Sequence, residues 1–181
     1  MPALRLSPVL AAWAELAATL VNTRPRATDP PEKLVGVADL GALLAQAPEP
    51  APAAAESDLP AMRDLRDALA HAFEATSLDS LAEALNPVLE RSAGGWRMAR
   101  ATTGTWELEP VARQPLAEWF GARAARGLAE LAMTYGIARL HMCSADDCLC
   151  AVVDVSRNGT RRYCSRTCAT RTNVRRHRLA H

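Results

Sequence analysis

The alternation of apolar and polar positions divides the chain into a long helical stretch, a short change of period and a cysteine-rich end. Val9, Leu10, Trp13, Leu16, Ala17 and Leu20 recur at spacings of one, three and four, which predicts an amphipathic helix to about residue 21. Ser7 followed by Pro8 is its start: a hydroxyl to cap the first amides, then a ring already set to helical φ. The run NTRPRATDPPEK after it is turn chemistry. Residues 31–46 read as helical again, with Leu40, Leu43 and Leu44 on the apolar side and a break near Gly36. PEPAPAAAESD is a Pro/Ala-rich connector, mobile or extended rather than core.

Asp58 can cap a further helix with Pro60 in its first turn. Met62, Leu65, Leu69 and Phe73 mark its buried stripe, while Arg63, Asp64, Arg66 and Asp67 face water. Ser77 opens another helix with Leu78, Leu81 and Leu85, which Pro87 should kink or restart before Val88 and Leu89. The period then changes in GGWRMARATTGTWELEP. Trp96, Met98 and Arg100 alternate with Arg97 and Ala99, and Trp106 and Leu108 with Thr105, Glu107 and Glu109. That pattern predicts a β-hairpin with one apolar face, and the helix from about 114 to 139 is its expected packing partner.

Composition supports a mainly helical reading. Apolar residues make up 49% of the 181, but aromatics only 4%, so a core must be built mostly from Leu, Val and Ala. The length suits one medium domain, or a domain of about 140 residues with a small appendage. No apolar run reaches the roughly 18 residues of a membrane span, and the first helix has no basic leader or A-x-A-like cleavage site. The expected compartment is the cytoplasm, where clustered cysteines bind metal or do redox chemistry more often than they form structural disulfides. The helical body carries no phosphate loop, nucleophile elbow, HExxH, Ser/Lys or Cys/His catalytic signature, so the chain is not read as an enzyme.

Charge and cysteines change the picture at the C-terminal end. Through Asp154 the chain carries a net −7, and from Val155 to His181 it carries eight arginines and no acid. A basic end on an acidic body suits an anionic partner such as nucleic acid, or an exposed tail that folds back on its own body. In CSADDCLCAVVDVSRNGTRRYCSRTCATR, Cys143-x4-Cys148 and Cys164-x3-Cys168 enclose 15 residues. Four thiolates satisfy tetrahedral Zn²⁺, and two short-spaced pairs a hairpin apart are how small zinc modules supply them. AVVDV reads as one strand, Asn158-Gly159 as the turn, and RRYC as the return strand. Ser165 or Thr167 then caps a short helix carrying Cys168.

Cys150 is read as a core residue, since it would form a cramped chelate with Cys148. His141, His177 and His181 could each replace a thiolate, but His141 lies only two residues from Cys143 and the others sit in the basic tail, so they are assigned to the surface or to phosphate contact. Four thiolates leave no open position for water, so the metal is structural and shapes a scaffold that presents arginines. On a helix over 166–179, Arg171, Arg175 and Arg178 fall on one face. Arg157, Arg161 and Arg162 lie on the turn and return strand beside them, with Arg166 at the helix start. Bidentate guanidinium groups clustered this densely suit phosphate.

These residues carry a resemblance. The segment resembles the CGNR zinc-finger family, bacterial proteins regarded as stress-induced transcription regulators. The family signature reads C-x4-C, a short hydrophobic strand, D-x-S-R-N, then R-R-W-C and C-G-N-R. Cys143, Cys148, Asp154, Ser156, Arg157, Asn158, Arg161, Arg162, Cys164, Cys168 and Arg171 match it. Tyr163 stands in place of the Trp, Val152 in place of a common Phe, and Ala169-Thr170 in place of Gly-Asn. Upstream, TLVNT at 19–23 is similar to the family's Leu-Ala-Asn-Thr stretch.

The expected architecture is therefore mainly α with a small β-hairpin (α+β), followed by a treble-type or ribbon-like zinc finger of β-hairpin and short helix. Residues 1–140 form a helical domain that senses an effector or makes a homodimer, and 141–181 the four-cysteine finger with its basic helix. The functional expectation is a transcription regulator that binds DNA through the finger, with Zn²⁺ as cofactor. The alternative is a zinc-stabilised protein–protein interaction module.

Overall fold

The computed structural model describes residues 6–24, 32–91, 96–100, 104–110 and 115–179. Part of the turn run after Val21, the Gly94-Gly95 pair, Thr102-Thr103, Gln114 and His181 lie outside the described residues. Helix α1 spans Pro8–Val21, and the Ser7 hydroxyl accepts the Leu10 amide at 3.2 Å, as its sequence asks. Trp13, Leu16, Ala17 and Leu20 form its buried stripe. Helix α2 covers only Val37–Leu44. The Asp39 carboxylate accepts the amides of Val35 and Gly36, both at 3.0 Å, which fixes the helix start at Gly36 and leaves residues 32–35 non-helical.

Helix α3 spans Leu59–Ala70 and follows a 3₁₀ turn at Glu56–Asp58. Asp58 does not cap α3 with its side chain; its carboxylate accepts the Ala55 amide at 2.9 Å instead. Helix α4 spans Leu78–Arg91, with Ser77 Oγ accepting the Ser80 amide at 3.1 Å. Pro87 lies inside it, and the helix runs on through that position rather than restarting. Helix α5 spans Leu116–Tyr135 and stops at Gly136, whose φ of +94° suits glycine.

The long helix α5 is the centre of the molecule and packs on α1, α3 and α4. At its crossing with α1, a Cβ on Gly127 would lie 2.7 Å from the Leu10 carbonyl oxygen and 2.8 Å from the Ala14 nitrogen. The two backbones come this close only because Gly127 has no side chain. Trp13 sits edge-on to Trp119 and Phe120 beside this crossing, with ring centroids 5.2 and 5.3 Å apart.

Two charged groups that a helical pattern would leave in water are buried. Arg66, expected on a solvent face, is 2% exposed. Its Nη1 donates to both oxygens of Glu32, at 2.7 and 2.9 Å, and its Nε to Asp67. Arg123 is likewise buried, stacks over the Trp119 ring and donates to Glu49 Oε1 at 2.6 Å. Glu49 also accepts from Trp13 Nε1 at 2.9 Å, so the Pro/Ala connector is pinned to the core rather than mobile. Both pairings join residues at least 34 positions apart, and helical periodicity says nothing about such partners.

Strands β1 (Trp96–Arg100) and β2 (Trp106–Pro110) form the expected antiparallel hairpin, with Met98 opposite Leu108. Its packing differs from expectation: Met98 and Trp106 are 68% and 60% exposed, and Arg100 lies over the Trp106 ring. The apolar side of α5 is occupied by α1, α3 and α4 instead.

A second antiparallel ribbon follows α5, made of β3 (Leu140–Met142) and β4 (Ala151–Val153). It leads to helix α6, Arg166–Leu179. Leu140, Ala151 and Val153 belong to the same apolar cluster as the helical core, and β4 packs on α1. The expected division between residues 140 and 141 thus falls within β3, not at a linker. At the end of α1, Asn22 donates from Nδ2 to the Ala151 carbonyl at 2.9 Å and accepts the Ala151 amide at 2.7 Å. Its side-chain amide thus pairs with β4 as a neighbouring strand would, and ties the cysteine segment to the helical body.

Candidate metal centre

The cysteine segment folds as a ribbon, a knuckle, a turn and a helix start. The ribbon's strands are 140–142 and 151–153, so AVV pairs with the strand before the knuckle and not with RRYC. Asp154 explains why. It is 1% exposed, and its Oδ1 accepts the Ser156 amide at 2.9 Å and the Ser156 hydroxyl while its Oδ2 accepts the Arg161 amide at 2.8 Å. The carboxylate closes the loop through a side chain, where a ladder would have used backbone. Gly159 turns the chain at φ +63° with its α-carbon against the Arg139 guanidinium. Arg139 Nη1 donates to the Asp154 and Ser156 carbonyls and lies 3.6 Å from Asp154 Oδ1.

Burial works against ionisation of the Asp154 carboxyl. The hydrogen bonds from Ser156 and Arg161 and the Arg139 charge outweigh it, and the group titrates below the usual carboxylate range. His141 has a structural place as well: Nε2 lies 2.9 Å from the Arg161 carbonyl and Nδ1 2.9 Å from that of Met142. It braces the ribbon to the returning chain.

The knuckle and the helix start bring Cys143, Cys148, Cys164 and Cys168 together, with all four sulfurs within 4.8 Å of one another. Cys148 and Cys164 lie 3.6 Å apart, and Cys164 and Cys168 3.5 Å. A Zn²⁺ with bonds of about 2.3 Å in tetrahedral geometry sets its ligands about 3.8 Å apart. The four sulfurs fit that ion closely, and none is in a disulfide. Backbone amides point at the sulfurs: that of Cys164 at Cys143, 3.4 Å away, and that of Cys150 at Cys148. Such donors favour thiolate over thiol. Ser165 caps α6 with its hydroxyl, accepting the Cys168 amide at 3.2 Å, which places Cys168 in the first turn.

Burial pushes the Cys143 and Cys164 thiols above their ordinary range, the neighbouring sulfur of Cys168 adding to it at Cys164. At Cys148 burial acts the same way, but hydrogen bonds from Cys150 and the other sulfurs overcome it and the thiol lies low. Cys150 stands outside the quartet and half-buried beside it; burial, then the nearby Cys148 sulfur, pushes its thiol up to about 11.

Comparison with known families decides the wider reading. Residues 139–181 match the family described as CGNR zinc finger, and residues 14–135 match the one described as "Putative stress-induced transcription regulator". No curated protein matches the chain. The chain belongs to this regulator family. Its CGNR module is a zinc-binding unit whose ribbon is built into the helical domain, and among the described residues no helix is long and apolar enough to cross a membrane.

The arginines of the CGNR module divide into two groups. Arg161 is 3.8 Å from Glu15 on α1 and donates to the Val153, Tyr163 and Cys164 carbonyls. Arg171 pairs with Asp147 at 2.8 Å and Arg175 with Asp146 at 3.5 Å, both acids in the knuckle between the first two cysteines. Arg157, Arg162, Arg166 and Arg178 are exposed, and among the described residues their side chains engage no partner. Arg176, which sequence reasoning passed over because it falls off the 171–175–178 face, is in the same free group. His177 is exposed on α6. Helical spacing alone puts Arg171 and Arg175 with Arg178; only the knuckle's position shows that acids meet the first two.

Proposed function

We propose that this regulator binds duplex DNA through the free arginines of its CGNR module, on a structural Zn²⁺ held by Cys143, Cys148, Cys164 and Cys168. The observation that carries the reading is the set Arg157, Arg162, Arg166, Arg176 and Arg178, whose side chains engage no partner among the described residues, on a segment without an acid of its own. Five guanidinium groups held at fixed spacing by a metal-braced turn and helix repel one another, and a phosphate backbone relieves that repulsion. The acidic body, net −7 through Asp154, would turn away from DNA and orient the module toward it. A closed four-thiolate shell leaves no coordination site for a substrate, so the metal is given no catalytic role.

The test is a salt series of duplex binding by the zinc-loaded full chain. With most of the five arginines on phosphates, log K should fall with log salt at a slope of about −4. Replacing Arg162 and Arg166 by Met should flatten that slope by about 1.8. A wild-type slope near zero would remove DNA as the partner. It would favour the interaction-module reading, which the docking of the ribbon on α1 and the Arg161–Glu15 pair support. For an effector, the helical domain offers a cavity of about 180 Å³ between α3, α4 and α5, floored by Leu65 and Val88 and rimmed by Asp64, Arg91 and Glu118.

A further inference from the structure

Arg171, the motif's final residue, reaches both halves of the cysteine cluster. It stands three residues past Cys168 on α6, and its Nη2 donates to Cys168 Sγ at 3.8 Å and to Asp147 Oδ1 at 2.8 Å. Asp147 immediately precedes Cys148. A single guanidinium nitrogen therefore links the helix that carries Cys168 to the knuckle that carries Cys143 and Cys148. One turn further on, Arg175 and Asp146 repeat the link at 3.5 Å. Arg161, equally close in sequence to a cysteine, donates to backbone carbonyls instead.

Charge gives this contact a purpose. A divalent cation with four thiolates is a net dianion, and the aspartates at 146 and 147 add to the negative charge around it. A fixed cation beside one sulfur offsets that charge, and an N–H donated to a thiolate is stronger than one donated to a thiol. Groups that orient ligands in this way are part of a metal site although they do not touch the ion.

We propose that Arg171 is a positioning residue of the zinc centre, which neutralises the Cys168 thiolate and locks the knuckle through Asp147, and is not a DNA contact. This rests on the zinc reading above. These contacts do not depend on a departure from the family signature. Ala169 and Thr170 replace Gly and Asn, while the arginine that follows them makes contacts involving neither side chain.

The experiment is chelator competition for zinc on the full chain, with Arg171→Met, Arg171→Lys and Asp147→Asn compared with wild type. Arg171→Met should hold zinc about tenfold more weakly. Arg171→Lys keeps the charge but replaces the planar, pre-oriented guanidinium by a compact ammonium on a flexible stem, so it should fall between. The double variant R171M/D147N should lose less than the two single losses combined, because the two side chains act together. A parallel salt series on duplex DNA should leave the slope of R171M as in wild type, while Arg166→Met flattens it by about 0.9. Unchanged zinc affinity in R171M, with a slope flattened by about 0.9, would make Arg171 a phosphate contact and overturn the proposal. If R171M does not fold, Arg171→Gln, which also removes the charge, decides: wild-type zinc affinity in that variant overturns it equally. A wild-type chain that holds no zinc would instead sink the zinc reading beneath it.

Discussion

Replacing Gly127 by Ala tests the packing on which the whole arrangement hangs. The added Cβ would meet the Leu10 carbonyl oxygen at 2.7 Å, the Ala14 nitrogen at 2.8 Å and Trp13 Cβ at 3.1 Å, where ordinary contact begins at 3.4 Å. Two of those neighbours are backbone atoms of a helix and cannot rotate aside. The helices must part by several tenths of an ångström along a face that includes the buried Trp13, and a gap of that order forfeits about a quarter of the dispersion at each contact. Overpacking of this kind costs about 3 kcal/mol, and Ala regains up to about 1 kcal/mol over Gly in a helix, leaving a net loss of about 2 kcal/mol. For a chain of this length that is a fall in Tm of about 4–8 °C.

Gly121 on the same helix is the control. A Cβ there would meet Leu65 Cδ1 and Val88 Cγ1 at 3.0 Å and Leu65 Cδ2 at 3.6 Å, side-chain atoms rather than the backbone of a neighbouring helix. G121A should stay within about 1 kcal/mol of wild type. Urea unfolding of both variants at matched zinc, followed by helical circular dichroism, separates the two. A G127A protein as stable as wild type, or a G121A protein that loses more than G127A, would refute the reasoning.

Two further outcomes follow from buried charge. Glu32→Gln leaves Arg66, whose side chain is 3% exposed, with only Asp67 as a charged partner, and should cost about 2 kcal/mol in urea unfolding near neutral pH. Burial tends to raise the Glu32 pKa, but the Arg66 hydrogen bond and charge hold it below the usual range. The carboxylate therefore contributes stability above its unfolded pKa of about 4.3, and that contribution disappears as pH falls through the lower folded value. The gap between wild type and E32Q should be flat from about pH 5 to 8 and shrink on further acidification; a gap that widens would contradict the pairing. Asp154→Asn cannot accept on both sides at once, because its amide nitrogen must face either the Ser156 donors or the Arg161 amide. It should lower stability by about 2 kcal/mol while keeping zinc, and loss of zinc with unchanged stability would show that the loop is not held as described.

Much of this molecule follows from residue order alone, because its signals are local. Ser7-Pro8, the apolar stripe of α1, the hairpin alternation and the cysteine spacings each act within a few residues, where helix period, pleat and chelate geometry set the outcome. The metal quartet is partly of this kind: two short pairs and a cap at Ser165 supply the ligands, and the loop closed by Asp154 brings the pairs together. What only the tertiary structure decided are the partners between distant segments. Arg66 looks like a surface arginine until Glu32 is placed beside it, and Glu49 looks like linker until Trp13 and Arg123 claim it. Leu140, Ala151 and Val153 join the ribbon to the helical core, where the sequence suggests a separate finger. Arg171 and Arg175 share the face expected for phosphate, yet acids of the knuckle meet them. A charge pattern counts cations but cannot say which carboxylate lies across the fold, and in this protein that choice separates arginines that brace the metal centre from arginines left free for a partner.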